Sequence, residues 1–423
     1  MARLFGSILV TEDYPKSVIH EGFELIGQPD LFSARDKDFH RARRRLVSPA
    51  FGLAYLRTLE PIMQECIGLL IRKIDATLQD PGSANGNAHP QGHIDIYSLL
   101  NRLSFDIIGS SAFGQSFNLI ENDTNPIIEQ IAASLKRAWR QTFNPWMKYI
   151  IPVDYSFFNF AVERVRARRA LGEKGRRSDL LQYLLDAQAR EIEEGNGPTG
   201  NEAEDIRTGK LTNKAIEIEA FVFLIAGSET TSTALTWALL YLVKHQDKLK
   251  RLREEIDGAT SGNPSNQLPK LEQVRKLPYL DAVLNESFRL RPVAATGIPR
   301  EVPEDREMLG YKIPKGTICL AQIRQLHSDP LFFPKPDEFI PERWIPSESP
   351  FPPIQDFTFY PFSAGTRNCV GKNFAMMELR LILSAIVSTY DLEFIPGQNE
   401  RYLQFITTVF VAGQYLISMK RRS

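Results

Sequence analysis

The sequence predicts a single, mainly α-helical domain with small β-sheets over residues 1–423. A long apolar segment, Leu211 to Gln246, would form a helix of about 50 Å at 1.5 Å per residue, long enough to cross a whole domain. A second long helix is predicted directly after Cys369, where apolar residues recur at helical spacing. Short runs of β-branched and aromatic residues favour only small sheets, such as a hairpin at Phe405 to Met419.

Three further helices are predicted along the chain. Ser98 to Phe117 is rich in apolar residues, and Tyr279 to Leu290 has a helical pattern. Ser178 to Glu194 is amphipathic, and Ser178 is expected to cap its N-terminus. In the helix after Cys369, the residues predicted to be buried are Phe374, Met377, Leu381 and Ala385.

The segments between these helices carry polar or irregular sequence. Asp80 to Gly92 and Glu193 to Gly209 are rich in Gly, Asn, Pro and charged residues, so both are expected to be surface insertions with nothing to bury. Pro292 to Pro361 is Pro-rich and is expected to be mostly irregular.

Composition and charge exclude several classes of protein. The 51 basic and 51 acidic side chains cancel, which argues against a nucleic-acid partner because such proteins usually carry a basic excess. The three cysteines are too widely spaced for a disulfide framework or a zinc site, and Cys66 and Cys319 are expected to be core residues. The longest apolar run near the start, Leu4 to Val10, is too short to span a bilayer, which needs about 20 residues.

The segment from Phe362 to Gly371 has the residue types that a thiolate ligand to a haem iron requires. Cys369 would supply the sulfur, and the peptide N–H groups of the turn and the helix start would hold it as a thiolate. Gly365 and Gly371 would let the backbone turn tightly and approach a flat macrocycle.

Two neighbours of the cysteine support the same interpretation. Arg367 would pair with an acidic edge group of the cofactor, and Phe362 would pack beside the sulfur and exclude water. The alternative is that Cys369 is a small buried hydrophobic residue, as a lone cysteine in a reduced chain usually is.

The centre of the long apolar segment carries a polar cluster at residues 227–233. An acid, Glu229, stands beside hydroxyls there, which suggests a proton path in a buried helix. Such a group would be costly in lipid, so a buried helix of a soluble domain is favoured over a membrane span. The alternative is a helix kink with solvated polar residues, because hydroxyls can bond to the preceding turn. Ala226 and Gly227 leave room beside the backbone.

Glu286 and Arg289 are three residues apart in a predicted helix and therefore share a face. Taken alone, this spacing is compatible with a surface ion pair worth only a few tenths of a kcal/mol.

The pattern Phe-x-x-Gly-x-Arg-x-Cys-x-Gly at 362–371 resembles the haem-binding signature of the cytochrome P450 superfamily. The segment Ala226 to Thr231 resembles the oxygen-activation motif of that family, and Glu286 to Arg289 resembles its Glu-x-x-Arg motif. Phe339 to Trp344 is similar to the loop that completes that motif. The four motifs occur in family order, so the resemblance covers the chain from about His40 to its end and implies the cytochrome P450 fold.

The resemblance assigns roles to individual residues. Glu229 would be the acid and Thr230 the alcohol that deliver protons, with Thr231 a helper at most. Glu286, Arg289 and Arg343 would form a buried brace for the cysteine loop.

Further cofactor-binding residues are implied by the same resemblance. Arg300 stands where the family often has a ligand of a haem carboxylate, and His40 with Arg44 matches a second such pair. For Arg41, Arg43 and Arg45 two alternatives remain open: a solvated basic face, or part of a docking site for an acidic electron donor.

The implied activity is that of a haem-thiolate monooxygenase. It would insert one atom of O2 into a hydrophobic organic substrate, in fungal-type secondary metabolism, with haem b as cofactor. Electrons would come from a flavoprotein of the NADPH-cytochrome P450 reductase type. The expected substrate contacts are Phe223, Ala226, Gly227, Thr230, Val293, Ala294 and Thr296.

The start of the chain departs from the family pattern. About thirty residues precede the segment Leu31 to Asp36, without the membrane helix, the hinge and the first strands that members usually carry. We therefore expect an N-terminally truncated sheet region. The resemblance implies the cytoplasmic face of the endoplasmic reticulum, and the missing anchor leaves a cytoplasmic location open. Two other functions also remain open: a haem-thiolate isomerase or dehydratase, and a truncated haem-binding protein without monooxygenase activity.

Overall fold

The computed structural model describes residues 6–24, 27–79, 92–122, 155–264, 267–404 and 407–422, and the single position 133. Helices dominate these ranges, as the sequence predicts. The α-helices are α1 (Lys37–Val47), α2 (Leu53–Leu56), α3 (Glu60–Gln79), α4 (Ile96–Phe113), α5 (Ser156–Ala170), α6 (Leu180–Glu193), α7 (Glu202–Thr208), α8 (Asn213–Lys244), α9 (Gln246–Thr260), α10 (Leu271–Val274), α11 (Pro278–Leu290), α12 (Ile323–His327) and α13 (Lys372–Thr389).

The strands are short and pair only in small antiparallel sheets. They are β1 (His93–Asp95), β2 (Arg300–Glu301), β3 (Arg306–Met308), β4 (Tyr311–Ile313), β5 (Ile318–Cys319), β6 (Tyr390–Phe394), β7 (Tyr402–Gln404), β8 (Thr408–Phe410) and β9 (Leu416–Arg421). One sheet has the order β1-β9-β6, and the remaining pairs are β2-β5, β3-β4 and β7-β8.

Helix α8 is the predicted long helix, and it lies at the centre of the domain. It begins after Thr212, whose hydroxyl accepts a hydrogen bond from the N–H of Ala215 at 3.0 Å. It packs against α4, α5, α11 and α13 within the main apolar core. Most side chains of α8 are buried, so protein surrounds the helix on all sides. This explains why apolar residues occur all round the helix and not on one face only.

Helix α13 begins directly after the cysteine segment, as predicted. Its four apolar residues at helical spacing are all buried: Phe374, Met377, Leu381 and Ala385. The helix therefore anchors the cysteine segment to the core and leaves it little freedom to move.

Two predicted helix boundaries were wrong. Helix α6 begins at Leu180, and the capping side chain is that of Asp179, which accepts from the N–H of Gln182 at 2.8 Å, not that of Ser178. Helix α4 ends at Phe113, because Gly114 adopts a left-handed φ of 65° that terminates the helix earlier than predicted.

The hairpin predicted at 405–419 was also wrong. Positions 405 and 406 lie outside the described residues, but the strands on either side have other partners. Strand β8 pairs backward with β7, and β9 pairs with β1 and β6. Local composition identified the strands, whereas their pairing depends on residues far away in the chain.

The two expected insertions had different outcomes. Positions 80–91 lie outside the described residues. The segment 193–209, expected to bury nothing, contains α7 and buries Asp205, whose carboxylate accepts from the N–H groups of Thr199 and Gly200. Those bonds tie the segment to itself, since they satisfy backbone donors of the preceding loop.

None of the helices in the described part of the chain combines the length and the apolar character that a bilayer-spanning helix requires.

Candidate active site

The cysteine segment forms a tight loop between the Pro-rich region and α13. A short 3-10 turn, Gly365–Arg367, brings the N–H of Cys369 to the carbonyl oxygen of Phe362, at 2.9 Å. Gly365 has a φ of 72°, and a Cβ atom there would collide with the backbone oxygen of Leu9. Glycine is therefore required at position 365 for two reasons. The backbone there is left-handed, and the N-terminal segment approaches too closely for a side chain.

The thiol of Cys369 lies in a recess, accessible to solvent although protein surrounds it. Burial is the main influence, and it raises the pKa of the thiol above its ordinary value. The backbone N–H groups of Gly371 and Lys372 and the cation of Arg44 act in the opposite direction. These groups would favour a thiolate once a metal ion displaced the proton.

Phe362 forms an apolar wall of this loop. Its half-buried ring packs edge-on against Phe288 of α11, with ring centroids 5.3 Å apart. The contact joins the cysteine loop directly to the helix that carries the Glu-x-x-Arg motif.

That motif is a fully buried ion-pair network and not a surface pair. Arg289 donates to both carboxylate oxygens of Glu286, at 2.9 Å each, and both side chains are 0% exposed. Arg343 donates to Glu286 at 3.0 Å, and Trp344 and the N–H of Ile340 complete the set of donors, at 2.9 and 3.0 Å. The carboxylate thus accepts five hydrogen bonds, which is what makes its burial tolerable.

A histidine that the sequence analysis missed connects this network to the cysteine loop. Arg289 donates to the carbonyl oxygen of His327 at 3.0 Å, and the ring Nε2 of His327 accepts from the N–H of Tyr360 at 3.0 Å. Burial lowers the pKa of His327 to about 3, so the ring is neutral and Nε2 can accept. No local pattern marks this histidine, because its partners lie 33 and 38 residues away.

The acid, Glu229, and the alcohol, Thr230, are consecutive residues of α8, and both are half-buried. The hydroxyl of Thr230 donates to the carbonyl oxygen of Ala226 at 2.7 Å. This bond follows the pattern of the alternative interpretation, in which hydroxyls bond to the preceding turn, yet α8 continues without interruption. Burial, with the charge of Glu229 as a smaller cause, raises the pKa of Tyr97 of α4 to about 12.

The residues expected to contact substrate have different surroundings. Phe223 is buried and packs edge-on against Phe51, with ring centroids 5.2 Å apart. Gly227 faces Ile108 of α4, so its missing side chain allows the two helices to approach, while Ala226 is exposed. Val293, Ala294 and Thr296 are half-buried in the segment before β2.

Three of the predicted cofactor-binding residues surround one cavity of about 270 Å³, which is also lined by other polar groups. These three are His40, Arg44 and Arg367. Arg44 is hydrogen-bonded to the carbonyl and the side-chain oxygen of Asn368, next to the cysteine. Arg367 donates to the carbonyl oxygens of Ala34 and Arg35, at 2.7 and 2.9 Å.

Arg300 differs from those arginines because, within the described part of the chain, its guanidinium forms no hydrogen bond to protein, whereas Arg367 lacks an acceptor only at Nε. The residue is 2% exposed, and its Nε and Nη1 atoms are buried with no hydrogen-bond acceptor. A buried cation of this kind fits an anionic group of a cofactor, which would supply the missing acceptors. Together with the accessible Cys369 thiol, it indicates that the residues present fit a haem.

The basic run at 41–45 is not one surface, and both expected roles of Arg43 were wrong. Arg43 is 2% exposed and pairs with Glu219 of α8 at 2.9 Å, so it is neither solvated nor available for docking. Arg41 is exposed and pairs with Asp38. Glu219 was not predicted as a functional residue. Its partner Arg43 is 176 residues away, and no local sequence pattern indicates that pairing.

The two remaining cysteines lie outside the cysteine loop, although Cys319 is paired in register with Arg300. Cys66 is buried in α3, as expected of a core residue, whereas Cys319 is half-buried in β5.

Comparison with known proteins agrees with this arrangement. The family model described as Cytochrome P450 matches residues 7–420. The chain is 32% identical to the cytochrome P450 monooxygenase mpsF of Macrophomina phaseolina, over 98% of this chain and 97% of that protein. It is 33% identical to the cytochrome P450 monooxygenase acrD of Aspergillus aculeatus, over 100% of this chain and 81% of that one. A crystal structure of a cytochrome P450 (CYP102L1) superposes with a TM-score of 0.80 at 23% identity, covering 100% of this chain and 88% of that one.

Proposed function

This chain belongs to the cytochrome P450 family, and we propose that it is a haem-thiolate monooxygenase acting on a hydrophobic organic substrate. One atom of O2 would enter the substrate and the other would leave as water. The observation that carries the proposal is the cysteine loop, in which an accessible thiol receives two backbone N–H groups beside unpartnered buried cationic nitrogens.

The protein's part in this chemistry is to hold the cofactor and to control access to it. Haem b would supply the activation of dioxygen when bound. Cys369 would hold the haem iron through its thiolate, which would supply electron density to the metal. Arg300, Arg367, Arg44 and His40 would hold the carboxylates of the cofactor, and Phe362 would exclude water from the sulfur.

Proton delivery is assigned to Glu229 and Thr230. The hydroxyl proton of Thr230 is held by the carbonyl oxygen of Ala226, which leaves the lone pairs of Oγ1 directed elsewhere and able to accept from a water molecule. Glu229, beside it, would replace the proton that this water passes on, a general-acid role.

The electron donor is proposed to be a flavoprotein of the NADPH-cytochrome P450 reductase type. The exposed members of the basic run, Arg41 and Arg45, line the same cavity as Arg44 and Arg367. Their charge suits association with an acidic surface, close to the loop that carries Cys369.

The substrate is proposed to be a small hydrophobic molecule of secondary metabolism. The half-buried segment that includes Val293, Ala294 and Thr296 is small and mostly apolar, which suits such a molecule. Similarity to the fungal monooxygenases supports the biosynthetic role. By the same family likeness, the protein would work at the cytoplasmic face of the endoplasmic reticulum.

The experiment that tests the proposal is the absorption spectrum of the purified, reduced, carbon-monoxide-treated protein. A red-shifted Soret band is expected, because only a thiolate-ligated haem gives it. Consumption of NADPH coupled to an oxygenated product would then distinguish a monooxygenase from an isomerase or dehydratase. Lack of the band in soluble protein would contradict haem-thiolate ligation.

Thr230→Ala is expected to keep the haem spectrum and to uncouple the reaction. Without the hydroxyl, the water that carries the proton loses its partner, and reducing equivalents are diverted to hydrogen peroxide. We expect a product yield per NADPH lowered by about 100-fold, at the low end of what general-acid catalysis contributes. The measurement is product and peroxide per NADPH consumed.

Thr236→Ala is the matched control for that variant. It removes a hydroxyl from the same helix that also donates to the preceding turn, at 2.8 Å to Ser232, but it lies nearly two turns away. Equal coupling in Thr230→Ala and in the parent protein would show that this hydroxyl is not on the proton path.

A further inference from the structure

A buried lysine near the start of the chain lies against the candidate cofactor site. Lys16 is 5% exposed, and its backbone pairs antiparallel with Arg300 in an isolated bridge. Ser17 N–H donates to Pro299 at 3.2 Å and Glu301 N–H to Pro15 at 3.0 Å, so the chain around Lys16 extends the β2-β5 pair. The N-terminal segment is thereby fixed beside the arginine that lacks partners.

The ammonium group of Lys16 is only partly satisfied. Its Nζ atom donates to the carbonyl oxygens of Leu31, at 3.1 Å, and Phe32. An ammonium has three donors, so one remains for another acceptor. Among the described residues, neither Lys16 nor Arg300 forms an ion pair with a carboxylate.

The surroundings of Lys16 are strongly cationic. Burial and the charges of Arg300, Arg367 and Arg44 lower the pKa of Lys16 to about 7. Two histidines share the cluster, His20 and His40, and burial with these cations lowers their pKa to about 3 and about 2, so both are neutral.

The acids near the cluster do not neutralise it. Asp30 is the one that acts on Lys16, but its oxygens accept from Ser33 and from the N–H of Phe32. The charge of Asp13 acts on Arg300 without an ion-pair contact, and its carboxylate is 3.8 Å from Arg367. Asp36 accepts from the N–H of Phe39 at the start of α1. The cations at Lys16 and Arg300 therefore lack an anion that the described protein supplies.

We propose that Lys16 binds a carboxylate of the haem, together with Arg300, as a cofactor-binding residue carried by the N-terminal segment. This inference rests on the proposed function, since it assigns a ligand group to the same cofactor. The haem carboxylates provide the negative charge that this buried cluster needs, and a charge-assisted bond to Lys16 would restore its protonated form.

The position of Lys16 depends on α8 through the backbone of one residue, Leu31. The Leu31 carbonyl accepts from Lys16, and the Leu31 N–H donates to Glu219 at 3.0 Å. Glu219 is held by Arg43 at 2.9 Å, so a buried ion pair fixes the loop that holds the lysine. Glu219 and Arg43 are positioning residues in this arrangement.

The test compares haem-loaded Lys16→Gln and Lys16→Arg with the parent protein and with Lys250→Gln, whose lysine side chain is 78% exposed. The first readout is the rate at which ferric haem transfers to excess apomyoglobin. We expect Lys16→Gln to lose haem about 10- to 100-fold faster, the range for one lost charge-assisted hydrogen bond. Lys16→Arg and Lys250→Gln are expected to stay near the parent rate.

The second readout is the midpoint potential of the iron in a spectroelectrochemical titration. Removing a positive charge beside the haem favours the ferric form, so the potential of Lys16→Gln should be lower than that of Lys16→Arg. A purely structural lysine, which only joins residues 31 and 32, would leave the potential unchanged. Parent-like haem transfer and potential in Lys16→Gln would overturn the proposal.

If Lys16→Gln cannot be purified as a folded protein, the pH dependence of haem loss in Lys16→Arg and in the parent protein tests the proposal instead. Burial and the neighbouring cations lower the pKa of Lys16, whereas an arginine stays protonated, so haem loss should accelerate with rising pH in the parent only. Identical pH profiles of the two proteins would overturn the proposal. A parent protein without the red-shifted Soret band would instead contradict the proposed function, so the two failures are distinguishable.

Discussion

The Cys369→Ala variant is expected to lose the red-shifted Soret band completely, the largest spectral effect of any single substitution in this chain. The thiol is the only sulfur in the cysteine loop, and alanine offers no ligand in its place. Retained haem would lack the strong thiolate bond, so we expect its occupancy to fall by at least tenfold, since metal ligation contributes binding free energy directly. The measurement is the reduced carbon-monoxide spectrum, with haem quantified separately.

Cys66→Ala is the matched control for that experiment. Cys66 is buried in α3, and its substitution removes the same thiol from a position away from the cysteine loop and from Arg300. The control should keep the band at parent intensity. A parent-like spectrum in Cys369→Ala would mean that another residue ligates the iron, and it would contradict the assignment of Cys369.

The helices and the cysteine loop could be predicted because each depends on residues that are close together in the sequence. In α8 and α13 the apolar spacing, and in the loop the fixed glycines and arginine, lie within a few turns of chain. The same applies to Glu286 and Arg289, whose spacing of three residues already places them on one face. Burial of that pair was implied by family resemblance and not by its spacing.

What the sequence did not show was which distant groups meet. Strand β9 pairs with β1 more than 300 residues away, and composition alone favoured a local hairpin instead. Arg43 lies in a basic run whose pattern indicates an exposed surface. In the structure, however, its side chain is buried and forms an ion pair with Glu219. The resemblance likewise named Arg300 and Arg367 together, yet two terminal nitrogens of Arg367 donate to backbone carbonyls and only its Nε lacks an acceptor, whereas Arg300 has two buried nitrogens without one.

Glu286→Gln is expected to cost the fold about 3–5 kcal/mol, because it removes the one negative charge between two buried guanidinium groups. Arg289 is 0% exposed and Arg343 is 4% exposed, so water cannot replace the lost carboxylate. Since domains are stable by only about 5–15 kcal/mol, this loss would take a third or more of the total in many proteins. We expect a lower urea midpoint and, through His327 and Tyr360, faster loss of haem from the cysteine loop.

Glu338→Gln distinguishes that effect from the loss of a surface charge in the same region. Glu338 is 57% exposed and pairs with Lys335 at 3.2 Å, the kind of ion pair that contributes about 0–1 kcal/mol. The identical substitution should therefore leave the urea midpoint nearly unchanged. If both variants unfolded at the same urea concentration, the buried network would not be the brace that holds the cysteine loop. A large difference, accompanied by haem loss only in Glu286→Gln, would mean that stability and cofactor retention depend on the same five hydrogen bonds.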